Sequence, residues 1–312
     1  MKKFYIYAPS YNEKSGGCVV LHRLCHLLNS FEDCQAFLVP NVPEKLSVNS
    51  LRSFFDDVLL LIKLLVINIF SETLFKTNPN WNTPVVKKIK IKIKDLETSV
   101  IVYPEITNGN PLCAKNVVRW LLHQPGYFTK CINYGVNELY FKFNSAIEDF
   151  NFSLSHTSIN ELKIIYYPLE YYNLEGATNN KGSCHAIRKG KGKVTVHPID
   201  SVLIDEIDHK TVSAIFKSSK RFISYDDYTA YSIFAVLCGC ESIVVPSPGI
   251  SKYEWYNNPT DRYGIAYGFS NEELNIARES KNKVYEHVIK EHKKSLNNAR
   301  NFAIEAYDFF DL

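Results

Sequence analysis

Residues 219–246 read SKRFISYDDYTAYSIFAVLCGCESIVVP. The apolar run RFISY (221–225) predicts a buried strand, which Tyr225-Asp226-Asp227-Tyr228-Thr229 interrupts. A small-residue helix is expected over 229–238, Gly239 ends it, and a second apolar run, ESIVV (241–245), predicts another buried strand. Strand, polar turn, helix and strand in that order form the repeating unit of a parallel sheet with helices on its faces. Asp226 and Thr229 fall at the strand-to-helix junction. There, side-chain oxygens cap a helix and its free amides meet a phosphate or a ribose hydroxyl. Asp226-Asp227 also has the look of a metal-binding acidic pair, but no third hard ligand stands at a convincing spacing, and no metal is expected.

The same pattern continues on both sides. Downstream, RYGIAYG (262–268) predicts a strand over 263–267, followed by a helix over 271–279 and a charged helical tail from about 281 to 312. Upstream, strands are expected at 138–143, 163–167, 184–187 and 194–197, with a helix over 209–218. Between two of them lies the densest positive cluster, AIRKGKGK (186–193). Its Arg188, Lys189, Lys191 and Lys193 alternate with Gly190 and Gly192. A glycine-broken loop directly after a strand brings cations and backbone amides close to one small anion, and a diphosphate meets that description. The bland alternative is a solvated basic hairpin. A G-x-x-x-x-G-K-[ST] phosphate loop is absent.

The first half carries a second α/β domain. FYIYA (4–8) and QAFLV (35–39) predict strands flanking a helix over 18–28, with Gly16-Gly17 at the helix start, either as a tight turn or as a ligand contact. SVIVY (99–103) predicts a strand ending at Pro104-Glu105, then the turn-rich loop ITNGNPL with Asn110, then a helix over AKNVVRWLLH, stopped by Gln124-Pro125-Gly126. Glu105 and His123 both end elements next to polar loops, the position from which a general base reaches an attacking hydroxyl. Each is equally open to a structural role, Glu105 holding its loop and His123 closing a helix.

Composition bounds the rest. At 312 residues with 46% hydrophobic and 22% charged content, the chain fits two folded domains, split here at 132/133 with residues 290–312 returning to the first. With 36 basic against 33 acidic residues, net charge +3 gives no global signature of a nucleic-acid binder. The eight cysteines show no C-x-x-C pair, and the N-terminal apolar stretch is too short for a signal peptide, so a cytoplasmic location is expected. VLLLIKLLVINIF (58–70) is too short to span a bilayer and predicts a buried or interfacial helix. KKIKIKIK (87–94) alternates with period two, predicting a strand whose lysine face either protects an edge or meets anionic lipid.

VYPEITNGNPLCAKNVVRWLLHQPG (102–126), AIRKGKGK, FISYDDYTAYSIFAVLCGCESIVVP and RYGIAYG together resemble bacterial GT-B glycosyltransferases that build cell-surface polysaccharides such as O-antigen or capsule. The resemblance spans most of the chain and is loose over 41–98. It implies an α/β fold of two facing Rossmann-like domains, with a C-terminal helix crossing back onto the first. The second domain would hold a nucleotide-sugar, with Arg188 and Lys189 on the diphosphate and Tyr225, Asp226 and Thr229 by the nucleotide. The first would hold a lipid-linked or oligosaccharide acceptor near Gly16, Gly17 and Asn110, at the cytoplasmic face of the inner membrane. Many retaining members carry two glutamates eight positions apart in this region. Here the positions eight after Asp226 and Asp227 are Phe234 and Ala235, so the stereochemical outcome stays open. A nucleotide-sugar epimerase of the same architecture and a non-catalytic sugar-binding module are the other readings.

Overall fold

The computed structural model describes residues 1–41, 75–145 and 147–312, in two units: Met1–Tyr166 with His292–Leu312, and Tyr167–Glu291. The predicted helix at 58–70 lies outside the described residues. Unit 1 carries β1 (Lys2–Ala8), α1 (Gly16–Leu28), β2 (Cys34–Pro40), α2 (Ile93–Thr98), β3 (Val100–Pro104), β4 (Asn116–Leu121), β5 (Leu139–Lys142) and β6 (His156–Thr157). Its sheet runs β2-β1-β3-β4-β5-β6, every pair parallel. Unit 2 carries β7 (Lys181–Ala186), β8 (Val202–Leu203), α3 (His209–Ser218), β9 (Ser219–Ser224), α4 (Tyr231–Leu237), β10 (Glu241–Val244), α5 (Lys252–Trp255), β11 (Ile265–Tyr267) and α6 (Asn271–Ser280). Its sheet runs β11-β10-β9-β7-β8, again all parallel.

Both sheets therefore share one topology. Chain order reverses at the first strand of each, so a switch point lies between β1 and β3 in unit 1 and between β7 and β9 in unit 2. Doubly wound, Rossmann-like sheets bind ligands at the carboxyl ends of the strands flanking that point.

The unit 1 core follows from strand alternation. Phe4, Ile6 and Ala8 of β1, Val100 and Val102 of β3, and Val118 and Trp120 of β4 share a face with Leu21, Leu24 and Leu28 of α1. Tyr5, Tyr7, Ile101, Tyr103 and Val117 cover the other face. The last helix, α7 (Val284–Phe309), closes the first of these layers. Ala299, Ala303 and Ala306 let its backbone approach, and Phe302 sets its ring edge against Phe141 with centroids 5.1 Å apart. Asn298 and Ser295 hydrogen-bond the backbone of Lys163 and Ile165 at 3.0 and 2.9 Å.

The structure corrects several expectations. AKNVVRWLLH is not a helix: residues 116–121 form β4, buried along its whole length. A short apolar run fits either element, and a strand covered on both faces shows no alternation to separate them. KKIKIKIK is not a strand. Leu38 pairs with the chain at Pro84–Val86, after which Lys88–Lys90 form a 3-10 turn and α2 begins. Residues 163–167 and 194–197 are not strands either. The first takes its polar partners from α7, and the amides of Val196 and His197 donate to the Tyr225 hydroxyl at 2.8 and 3.1 Å. The expected division at 132/133 falls between β4 and β5, which pair in one sheet, and the two units part at Tyr166/Tyr167 instead.

Candidate functional site

In unit 2 the chemistry gathers at the switch point. β7 ends at Ala186 and runs into the basic loop; β9 ends at Ser224 and runs into Tyr225-Asp226-Asp227. Asp205, just beyond β8, fixes the first turn of the loop. Its Oδ2 accepts the amides of Ile187 at 3.2 Å and Arg188 at 2.8 Å. Arg188 is held there at φ 44°, a left-handed conformation uncommon outside glycine. Arg188 is exposed as a residue and its side chain is 33% exposed, with its guanidinium 5.0 Å from the Tyr231 ring centroid and its Nε 3.8 Å from the buried Asp226 carboxylate. Lys189 is exposed beside it.

Gly190 explains why the loop sits where it does. A Cβ at this position would lie 2.6 Å from Tyr225 Cβ and closer still to the Tyr225 carbonyl, so the two backbones touch with no room for a side chain. Gly190→Ala is expected to cost about 1–3 kcal/mol through overpacking against backbone. Gly16→Ala, where the added methyl meets nothing within 4 Å, is the matched control. Urea denaturation compares the two, and equal midpoints would remove the packing account.

The two aspartates of the predicted pair do different work. Asp227 accepts from Lys193 Nζ through both oxygens at 2.9 Å and from Ser247 Oγ at 2.7 Å, while its carbonyl takes the Trp255 indole N–H at 2.7 Å. Lys193 is thereby spent within the fold, and Asp226 faces Arg188. Among the described residues no group of three or more His, Cys, Asp or Glu is placed to hold a metal ion. Thr229 Oγ1 accepts the Tyr231 amide at 3.3 Å in the turn that leads into α4, whose N-cap residue, Ala230, has no side-chain cap. Tyr225 is placed as a structural post rather than at the open edge. It is buried, and its hydroxyl organises residues 196–197 and meets His197 Nδ1 at 2.7 Å. The His197 ring stacks on His185 at 3.6 Å, and burial together with that neighbour holds the His185 pKa below its usual value.

Unit 1 presents its own edge. Glu105 follows β3 directly and is buried; its Oε2 accepts the Leu122 amide at 3.1 Å, and Tyr134 donates to its carbonyl at 2.5 Å. Desolvation pushes its carboxyl up to about 7, the range suited to a base working near neutrality. Leu122 also lies 3.6 Å from the place a Cβ on Gly17 would occupy, so Gly17, Glu105 and the end of β4 converge. Gly16 and Gly17 are exposed at the start of α1, which Ser15 caps. His123 follows, its ring 4.2 Å from Tyr127 and 5.0 Å from Phe128, two aromatics left 67% and 60% exposed at this edge. Asn110 is committed to its own loop. Its Oδ1 accepts from the Tyr103 hydroxyl and the Ala114 amide at 2.9 and 3.0 Å.

Sequence reasoning missed the group that organises this edge. Arg119 of β4 is fully buried and grips Glu138 twice, Nε to Oε2 at 3.0 Å and Nη2 to Oε1 at 2.6 Å. The same guanidinium donates to the carbonyls of Thr107 and Gly109, at 2.6 and 3.2 Å, and lies 4.3 Å from the Tyr134 ring centroid. It therefore pins the loop that follows Glu105. Nothing local in the sequence marks the pair, because Arg119 sits on β4 and Glu138 just ahead of β5, the strand beside it.

No protein-family model matches the chain, and no curated protein does. Among solved structures it is similar to the beta-glucosyltransferase of phage T4, at 12% identity over 100% of both chains and a TM-score of 0.40. A structure of the DNA-modifying enzyme beta-glucosyltransferase, with and without uridine diphosphoglucose, gives 10% identity over 100% of both chains and a TM-score of 0.43. Sucrose-phosphate synthase of Thermosynechococcus elongatus gives 8% identity over 99% of this chain and 96% of that one, with a TM-score of 0.31. Such low identities transfer no residue-level role.

Proposed function

We propose that this chain is a metal-independent glycosyltransferase that moves a sugar from a nucleotide-diphosphate sugar to a surface-glycan acceptor. The observation that carries the reading is the basic loop at the unit 2 switch point, where Gly190 seats the backbone on β9 and leaves Arg188 and Lys189 exposed at the carboxyl edge. Their charges suit a diphosphate, and Arg188 offers the forked donors that grip two of its oxygens. Asp226 orients that guanidinium, and Thr229 stands at the nucleotide side. In unit 1, Glu105 would accept the proton of the acceptor hydroxyl. In unit 2, Arg188 and Lys189 would stabilise the charge on the diphosphate as its bond to the anomeric carbon breaks and the acceptor oxygen takes its place. Gly16, Gly17 and His123 would line the acceptor side, and the exposed rings of Tyr127 and Phe128 offer faces on which a pyranose stacks. The resemblance in sequence supports the glycan acceptor.

Titrating a panel of nucleotide-sugars by calorimetry tests the reading. Arg188→Ala is expected to weaken donor binding about 10- to 100-fold, in line with the loss of a charge-assisted hydrogen bond. Unchanged donor affinity in that variant removes the assignment. Conversion of the donor without any acceptor would show an epimerase instead.

A further inference from the structure

We propose that the segment 87–94 of unit 1 docks the protein on an anionic lipid bilayer, independently of the reaction its site performs. The segment is not a strand with one wet face, as its period suggested. Lys88, Ile89, Lys90, Lys92, Ile93 and Lys94 are all exposed, the two isoleucines at 80% and 78%. Large aliphatic side chains presented so fully to water, each between lysines, form a mixed apolar and cationic surface.

The display is built, not slack. Ile91 and Leu96 turn inward and pack on the layer that holds Tyr5, Tyr7 and Ile101. The Ile91 amide donates to the Lys88 carbonyl at 3.2 Å, and the Leu96 carbonyl accepts the Lys115 amide at 3.2 Å. The inward pair anchors the segment, which leaves Ile89 and Ile93 pointing away from the core. Of the acidic neighbours, Asp95 is bound to Lys3 at 2.8 Å and Glu97 is exposed in α2.

Charge complementarity selects an anionic partner, and the isoleucines select among anionic partners. A phosphate backbone gains nothing from exposed aliphatic groups, whereas an interfacial segment sinks them into the boundary between headgroups and acyl chains while lysines stay at headgroup level. An anionic bilayer satisfies both features at once.

Flotation of the full chain with vesicles of phosphatidylcholine, and with vesicles carrying about 30% phosphatidylglycerol, tests the inference. The wild type is expected to float with the anionic vesicles and not with the neutral ones. Lys88/Lys90/Lys92/Lys94→Gln should lower partitioning about 600-fold, each lysine near an anionic surface being worth about fivefold. Ile89→Ser/Ile93→Ser should still bind at low salt but be released by about 0.5 M salt, where the wild type is partly retained. All the substituted side chains are exposed, and an unchanged thermal midpoint confirms that each variant is folded. Failure of the wild type to float overturns the proposal. So does an isoleucine variant that matches the wild type at both salts, or a wild type that binds duplex DNA but not vesicles, since either would reveal a general polyanion surface.

Discussion

Glu105→Gln is expected to lower turnover by about 10²- to 10⁴-fold, the usual contribution of a positioned general base. The amide keeps the shape of the carboxyl and its contact with the Leu122 N–H, so it removes the proton-accepting function and little else. In the wild type, kcat/KM should rise with pH through an inflection near 7, set by the carboxyl that burial has pushed up to about 7, and the variant should lose that inflection. Stability moves the opposite way. Between the ordinary glutamate value of 4.5 and about 7 the folded state holds a proton that the unfolded chain has released, so wild-type stability falls as pH rises through that window. Glutamine has no charge to bury. The variant should therefore gain stability over the wild type from pH 5 to 8, on the order of 3 kcal/mol at roughly 1.4 kcal/mol per pH unit. Urea denaturation at pH 5 and pH 8, beside a pH–rate profile, reads both effects. A variant that is slower but no more stable at pH 8 would place Glu105 outside a desolvated site, and one with unchanged turnover would remove it from the reaction.

How far the sequence reveals this arrangement depends on the range of the interaction involved. β1, β2, β3, β9 and β10 were legible because each is a short apolar run bounded by turn residues, α3 and α6 because their polar and apolar positions follow a helical period, and α4 because Gly239 ends its small-residue run. Placing Arg188, Asp226 and Glu105 at strand ends needed no more than that. Where the signal was ambiguous or misleading, the expectation failed. Buried on both faces, β4 shows no period to distinguish it from a helix, although Val117, Val118 and Trp120 are residues that strands favour. The alternation of KKIKIKIK belongs to a surface in which two isoleucines turn outward and one turns inward, an arrangement that period two cannot express. Partnerships were least legible of all. Lys193 with Asp227 and Asp205 with the Arg188 amide join loops that follow different strands of one sheet, and only the pairing of those strands brings them together.

Arg119 is the other position where one substitution should be severe. Arg119→Met is expected to destabilise unit 1 by about 3–5 kcal/mol, because it strands the Glu138 carboxylate in the core without a counter-charge. Glu138→Gln should cost a comparable amount, since it strands the buried Arg119 guanidinium without a counter-charge and turns an amide NH2 toward one of its donors, even though the remaining oxygen can still accept from the Gly135 amide, which reaches Oε1 at 2.9 Å. The double variant Arg119→Met/Glu138→Leu distinguishes the pair from its surroundings. If the ion pair were needed only to neutralise itself, apolar replacement would restore most of the stability. Arg119 also supplies the donors that pair the Thr107 and Gly109 carbonyls, and the double variant leaves both without them. Recovery should therefore stop short, by about 1–3 kcal/mol for each buried acceptor left unpaired. The loop so released is the one that leaves Glu105, and in glycosyl transfer the double variant should lose turnover even where it is well folded. Chemical denaturation and turnover measured on the same three variants test this reading. Full recovery of stability together with full turnover would show that the loop after β3 holds its place without Arg119.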